Sequence, residues 1–198
     1  MPISPFLMPK TVVSFGLVVT LAACGGSSTG GGTNPSASFA DIAAGGLALA
    51  DEIATIPYTD PTTLPAQGSA SYDGFIGVDV GNAATVAGDL TLNANFGSDQ
   101  VSGSASNFFD EAENAYGGTL DITQGTVDRG ADTRFDFTFT ADLTGDLTDT
   151  DGAVIEVDAD IEGDFTGTDY QYVEGFVSGT ATVDGEPAFF DGEFVGER

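Results

Sequence analysis

Side chains that usually carry chemistry are scarce in this chain. Its 198 residues include no histidine and one cysteine, Cys24. A serine, threonine or cysteine nucleophile needs a base within hydrogen-bond reach, and no motif spacing here supplies one. Carboxylates are abundant, and a flanking pair is what glycoside hydrolysis requires. Here they recur at every second position, as in Glu156, Asp158, Asp160, Glu162 and Asp164, which describes a solvated strand face and not a converging pair. Asp146, Asp149, Asp151 and Gly152 sketch a calcium loop, but Leu147 interrupts it and no glutamate closes it. A hairpin turn is the better reading. Zinc and haem sites lack histidine and thiolate ligands, and both methionines, Met1 and Met8, precede Cys24. Tyrosine is the one haem-ligand type left. The inventory predicts no enzyme, no metal site and no cofactor.

The charge is one-sided. Four Lys+Arg face 31 Asp+Glu. Lys10 precedes Cys24, so the chain beyond it keeps Arg129, Arg134 and Arg198 against all 31 acids, a formal charge of −28. Such a surface excludes nucleic acid as a partner, because phosphate binding needs basic patches. It attracts basic proteins, or it keeps the chain soluble in a salty medium.

The cysteine is explained by its neighbours. Lys10 is followed by an apolar run, Thr11 to Ala23, about a dozen residues and too short for the ~20 that cross a bilayer as a helix. It fits the apolar region of a secretory leader. The run ends Leu21-Ala22-Ala23-Cys24. This resembles the bacterial lipobox, in which the leader is cleaved before a cysteine that is then acylated. The resemblance implies a membrane anchor at Cys24, firm if it carries more than one acyl chain. Residue 25 is Gly and not Asp, which favours the outer membrane. Gly25 to Gly32, with Ser27, Ser28 and Thr29 inside, is a flexible linker by composition.

Next comes a short amphipathic helix. Ser38 is placed to cap it. Phe39, Ile42, Gly46, Leu49, Ile53 and Ile56 recur at spacings of three and four. Gly45 and Gly46 weaken it by about 1 kcal/mol each relative to alanine, so it needs a surface to lean on. Pro57, Pro61 and Pro65 end it.

From Ser69 the period becomes two. Tyr72, Ile76, Val78 and Val80 alternate with Ser71, Asp73, Gly77 and Asp79; Val86, Leu90, Leu92 and Phe96 with Asp89, Thr91 and Asn93. Val101 to Ala105 mark a third strand, Leu120 with Ile122 a fourth, and Phe135, Phe137, Phe139 and Leu143 one face of a fifth. Ile155 to Phe165, Val173 to Val183 and Ala188 to Phe194 complete eight. Asp151-Gly152 and Asp184-Gly185 are hairpin signals. The predicted fold is all-β: an eight-stranded antiparallel up-and-down barrel, which leaves no free edge. Glycines at inward positions (Gly74, Gly88, Gly103, Gly163, Gly192) allow the coiling that closure demands. Acids and threonines on one face with Phe, Ile and Val on the other put water outside, the reverse of a membrane barrel. The many inward phenylalanines predict a filled interior.

Three segments carry a family likeness. Leu64 to Gly74 (Leu-Pro-Ala-Gln-Gly-Ser-Ala-Ser-Tyr-Asp-Gly) resembles the start of the barrel domains of transferrin-binding protein B and related surface lipoproteins. Gly163-Asp-Phe-Thr-Gly167 with Glu174-Gly-Phe-Val-Ser-Gly179 resembles their late glycine–aromatic pattern, and Phe190 to Arg198 their closing strand. The likeness covers Leu64 to Arg198. It implies a cell-surface lipoprotein whose barrel captures iron, haem or a host or environmental protein, with an outer-membrane receptor as a further partner. The alternative is a structural or shielding envelope lipoprotein with no specific ligand.

The expected organisation is a leader over 1–23, a Gly/Ser tether over 24–37, a helix and extended approach over 38–66, and a barrel over 67–198. Phe108 to Gly117 reads as the longest connection between strands. Phe108, Phe109, Asp110, Glu111, Glu113 and Tyr116 are its candidate partner-binding residues, because exposed aromatics beside acids suit protein contact. Alternatively, Phe108 or Phe109 tucks over the barrel mouth. The tether is expected to enter strand one from the membrane-proximal end, so that the acidic turns form a distal rim that meets a basic partner. The three arginines then gather near the membrane.

Overall fold

The computed structural model of the chain describes residues 38–198 apart from Asn82. Cys24, the leader and the tether lie outside the described residues. Helix α1 (Phe39–Ile53) and a single 3-10 turn (Pro61–Thr63) precede eight strands. These are β1 (Ser69–Val80), β2 (Ala84–Asn95), β3 (Gln100–Asp110), β4 (Ala115–Val127), β5 (Phe139–Thr148), β6 (Val154–Thr166), β7 (Tyr172–Val183) and β8 (Glu186–Glu197). Each pairs antiparallel with the next, and β8 returns to β1 to close the barrel. The all-β, up-and-down, eight-stranded barrel with a short helix before it is therefore the fold.

Closure depends on the glycines. At the β1–β8 seam the register runs from Asp73 opposite Glu197 to Val80 opposite Phe190. A Cβ on Gly74 would fall inside the carbonyl of Val195, and one on Gly192 inside that of Gly77. No side chain fits at either position, so β1 and β8 can approach to hydrogen-bonding distance there.

Side chains fill the interior. Towards the end where the chain enters β1, Tyr72, Phe96, Phe139 and Phe165 pack together with ring centroids 5.2–6.0 Å apart. The Tyr72 hydroxyl donates to the Tyr170 carbonyl at 2.9 Å. At the opposite end, Phe108 and Phe190 are fully buried. Arg129 ties the entry end together. Its guanidinium donates to the carbonyls of Leu64, Pro65 and Phe96 and to the Asp99 carboxylate, at 2.7–2.9 Å.

Two segments depart from the alternation. β5 begins at Phe139, not Phe135. Asp132 accepts from the backbone of both Phe135 and Asp136, which curls 132–136 into a turn. Phe135 is exposed as a result, and the ring of Phe137 lies on Phe176 outside the barrel. The same segment covers Asp164, an apparent surface acid that is 2% exposed and accepts from the Thr138 amide and hydroxyl. The longest connection among the described strands is accordingly 128–138.

Candidate functional site

Among the described residues the barrel interior is packed with buried apolar side chains. The segment expected to be the partner-binding loop is not a loop. β3 continues to Asp110 and β4 resumes at Ala115, leaving a four-residue turn, 111–114. The cause is a bulge. Asn107 adopts a left-handed φ of 57°, and the β3–β4 register shifts between Ser106 and Phe108. The shift turns Phe108 inward, into the space above Gly88, and Phe109 outward. Tyr116 lies in β4, opposite Phe108.

The acids of this turn have structural work. Asp110 accepts from the Ala112 and Asn114 amides and the Asn114 side chain at 2.8–2.9 Å. Burial works against its ionisation, but these bonds and one from Tyr116 outweigh it and hold its carboxyl below the ordinary value. Glu113 reaches away from the turn to accept from the amides of Phe39 (2.8 Å) and Ala40 (3.3 Å). Those are two of the orphan donors of α1. The next, on Asp41, is taken by the Ser38 hydroxyl at 3.1 Å, the cap expected of that serine. A carboxylate at this position also opposes the positive end of the helix dipole. Of the expected binding residues, only Glu111 is left facing a concave surface.

That surface lies beneath α1. The helix runs down the outside of the barrel, from the 111–114 turn to the opposite end. There Ile53 is buried, and Glu52 accepts from the Tyr172 hydroxyl at 2.7 Å. Its support is Phe75, an outward-facing residue of β1. A Cβ on Gly45 would meet the Phe75 ring at 2.5 Å, so this glycine, which weakens the helix, is also what lets it settle on that ring. Phe39, Ile42 and Ala87 complete a small apolar cluster with Ala43, Phe75 and Phe109.

The helix does not cover the barrel face completely. An apolar cleft of about 100 Å³ remains between its Ala43, Leu47 and Ala50 and the outer face of β1 and β8, where Phe75 and Val195 line it. Glu111 and Glu193 supply its charge. Glu193 is half-buried and accepts no hydrogen bond from the described residues. Burial, and then the neighbouring Glu174 carboxylate, push its carboxyl above the ordinary value. Nearby, burial with Glu174 and Asp164 pushes the Tyr58 hydroxyl up to about 12.

The remaining candidates are used within the fold. Asp149 accepts from the amides of Asp151 and Ala153, so the suspected calcium loop is a self-bonded hairpin turn. Among the described residues, no cluster of three or more His, Cys, Asp or Glu is arranged to hold a metal. Arg134 is paired with Asp132 at 2.6 Å, and Arg198 stacks on Tyr170 at 4.8 Å from the ring centre. With Arg129 engaged as described, the arginines do not form a basic face. The described chain also starts at the acidic-turn end, since Phe39 meets Glu113. α1 then returns it to the other end before β1. The tether itself lies outside the described residues.

Sequence reasoning missed Phe75, Glu193 and Val195. The signal was present: Phe75, Val195 and Phe176 occupy outward phases of β1, β8 and β7, where acids and small polar residues are otherwise the rule. No family model matches the chain, and no curated protein matches it either.

Proposed function

We propose that this chain is a non-catalytic lipoprotein of the outer membrane, anchored through Cys24, that presents its barrel at the cell surface to capture a partner. The family likeness to transferrin-binding-protein barrels suggests iron, haem or an environmental protein as the captured class. The observation that carries the reading is the outer face beneath α1. A barrel already closed and filled keeps an apolar cleft on its outside, beside a half-buried carboxylate that nothing in the described chain pairs. Burying such a carboxylate without a partner costs free energy, which a ligand can offset. A cleft of about 100 Å³ is far below the ~300–1,000 Å³ of small-molecule pockets. That favours a protein side chain over haem itself.

The acid coat supports a second reading, a shielding lipoprotein with no ligand. Protease shaving of intact cells with periplasmic controls, together with acyl-chain labelling of wild type and Cys24→Ser, tests the placement. Labelling that needs Cys24 and a barrel lost on shaving support a surface receptor. Protection from protease overturns surface capture and favours the shielding reading.

A further inference from the structure

We infer that the cleft between α1 and β8 is a docking site for a basic, apolar polypeptide segment, in which an aliphatic side chain enters the cleft and a neighbouring lysine or arginine pairs with Glu193. The inference rests on the capture reading above and names the chemistry of the captured partner.

Three observations converge. The space is right for one side chain. It amounts to about 100 Å³, well below the ~300–1,000 Å³ of small-molecule pockets. Its lining is apolar on both walls: Ala43, Leu47 and Ala50 from the helix, Phe75 and Val195 from the barrel. The charge at its edge has one sign. Glu193 and Glu111 both line it, and Glu174 stands near enough to Glu193 to raise its pKa. None of the three arginines lies there. Arg129 is bonded to Asp99 and to three carbonyls, Arg134 to Asp132, and Arg198 lies over Tyr170.

An acidic segment would add like charge to a half-buried carboxylate, and a neutral apolar one would leave it unpaired. A cation answers it, and the long aliphatic stem of lysine or arginine suits the apolar wall while its head reaches the carboxylate. The acid-rich barrel around the cleft steers such a segment towards it.

The test uses the full lipidated chain in nanodiscs of zwitterionic lipid, with empty nanodiscs as the blank. Fluorescein-labelled Gly-Leu-Lys-Gly-Leu-Lys is titrated by anisotropy beside Gly-Leu-Glu-Gly-Leu-Glu. A photo-crosslinking version maps the contact by mass spectrometry. The expected result is saturable binding of the lysine peptide alone, with crosslinks to α1 and β8. Glu193→Gln weakens it by about fivefold, the scale of one partly screened ion pair. Ala50→Phe, which fills the cleft from the helix side, abolishes it. Circular dichroism confirms that both variants are folded.

Binding that both variants leave unchanged, or crosslinks scattered over the barrel, would mean general attraction to the acid coat and overturn the inference. So would no binding at all. If cells displaying the chain still capture protein while the cleft variants behave as wild type, the inference fails and the capture reading stands. If shaving finds the barrel protected, it is the capture reading that fails.

Discussion

Glu113 decides whether the 111–114 turn is a binding loop or a clasp, and its substitution separates the two. Its carboxylate accepts from Phe39 and Ala40 at the start of α1. Glu113→Ala leaves both amides to water, while Glu113→Gln keeps an acceptor but removes the charge. A helix cap is worth about 0.5–2 kcal/mol, and a charge at a helix N-terminus about 0.3–1 kcal/mol. Because Glu113 is exposed and the Ser38 cap remains, the lower half applies: about 1 kcal/mol for alanine and less for glutamine. The loss falls on the docking of α1, since the core of the barrel does not include the helix residues Phe39 and Ile42. Native-state hydrogen exchange reads this directly. Amides of α1 should exchange about fivefold faster in the alanine variant, and those of β5 and β6 at the wild-type rate. Unchanged α1 exchange in both variants would falsify the clasp. Lost partner capture with unchanged exchange would restore the turn as a contact surface.

Other perturbations have equally definite signs. Gly74→Ala places a methyl against the Val195 backbone at the seam, where the obstacle cannot rotate away. A cost of about 3 kcal/mol, the upper range for overpacking, should lower the melting temperature by about 6–12 °C, and a loss under 2 °C refutes the seam argument. Asp164→Ala removes the acceptor of two bonds from Thr138. It should free the 128–138 segment for proteolysis by about 2 kcal/mol of local stability, whereas a cleavage rate equal to wild type would contradict this. Glu193 has a raised pKa in the fold, so its ionised form is the destabilised one. Glu193→Gln should therefore melt higher than wild type at neutral pH, with the gap closing as pH falls through the raised pKa of Glu193 and gone below the ordinary carboxylate value. A gap that is constant with pH would rule out titration of Glu193 as its source.

The barrel was legible because its information is local. Strict alternation from Ile155 to Phe165 fixes which side chains face inward, and hairpin signals such as Asp184-Gly185 fix the order of strands. Seam glycines were legible for the same reason. Two failures came from residues that interrupt the period without announcing it. Asn107 carries the bulge that turns Phe108 inward and ends the supposed loop. Asp132 curls the segment that was expected to begin β5. The cleft was illegible for a different reason. It is built by contacts between residues far apart in sequence, Gly45 with Phe75 and Phe39 with Glu113, and no window contains both partners. What the sequence did offer was a contradiction, a phenylalanine at position 75 on a polar phase. Its resolution required knowing that a glycine-weakened helix lay over it.

The course of α1 also reverses the orientation expected for an anchored barrel. Ser38 lies at the end that carries the 111–114, 149–153 and 184–185 turns, while Arg129 and Arg198 sit at the other. In the proposed anchored state, fourteen residues from Cys24 to Ala37 link lipid to that first end. From its Gly/Ser-rich composition, a linker of this length is expected to have a root-mean-square span of about 20 Å. A twelve-residue strand extends about 40 Å, or about 30 Å along the axis of a barrel with ordinary strand tilt. The tether is shorter than the barrel on average, so the acidic turns should lie nearer the bilayer than the arginines. A fluorophore at Asp151→Cys should then be quenched by a headgroup-borne quencher more strongly than one at Asp169→Cys. The opposite ranking would refute this orientation, since it needs the tether drawn out well beyond its average span.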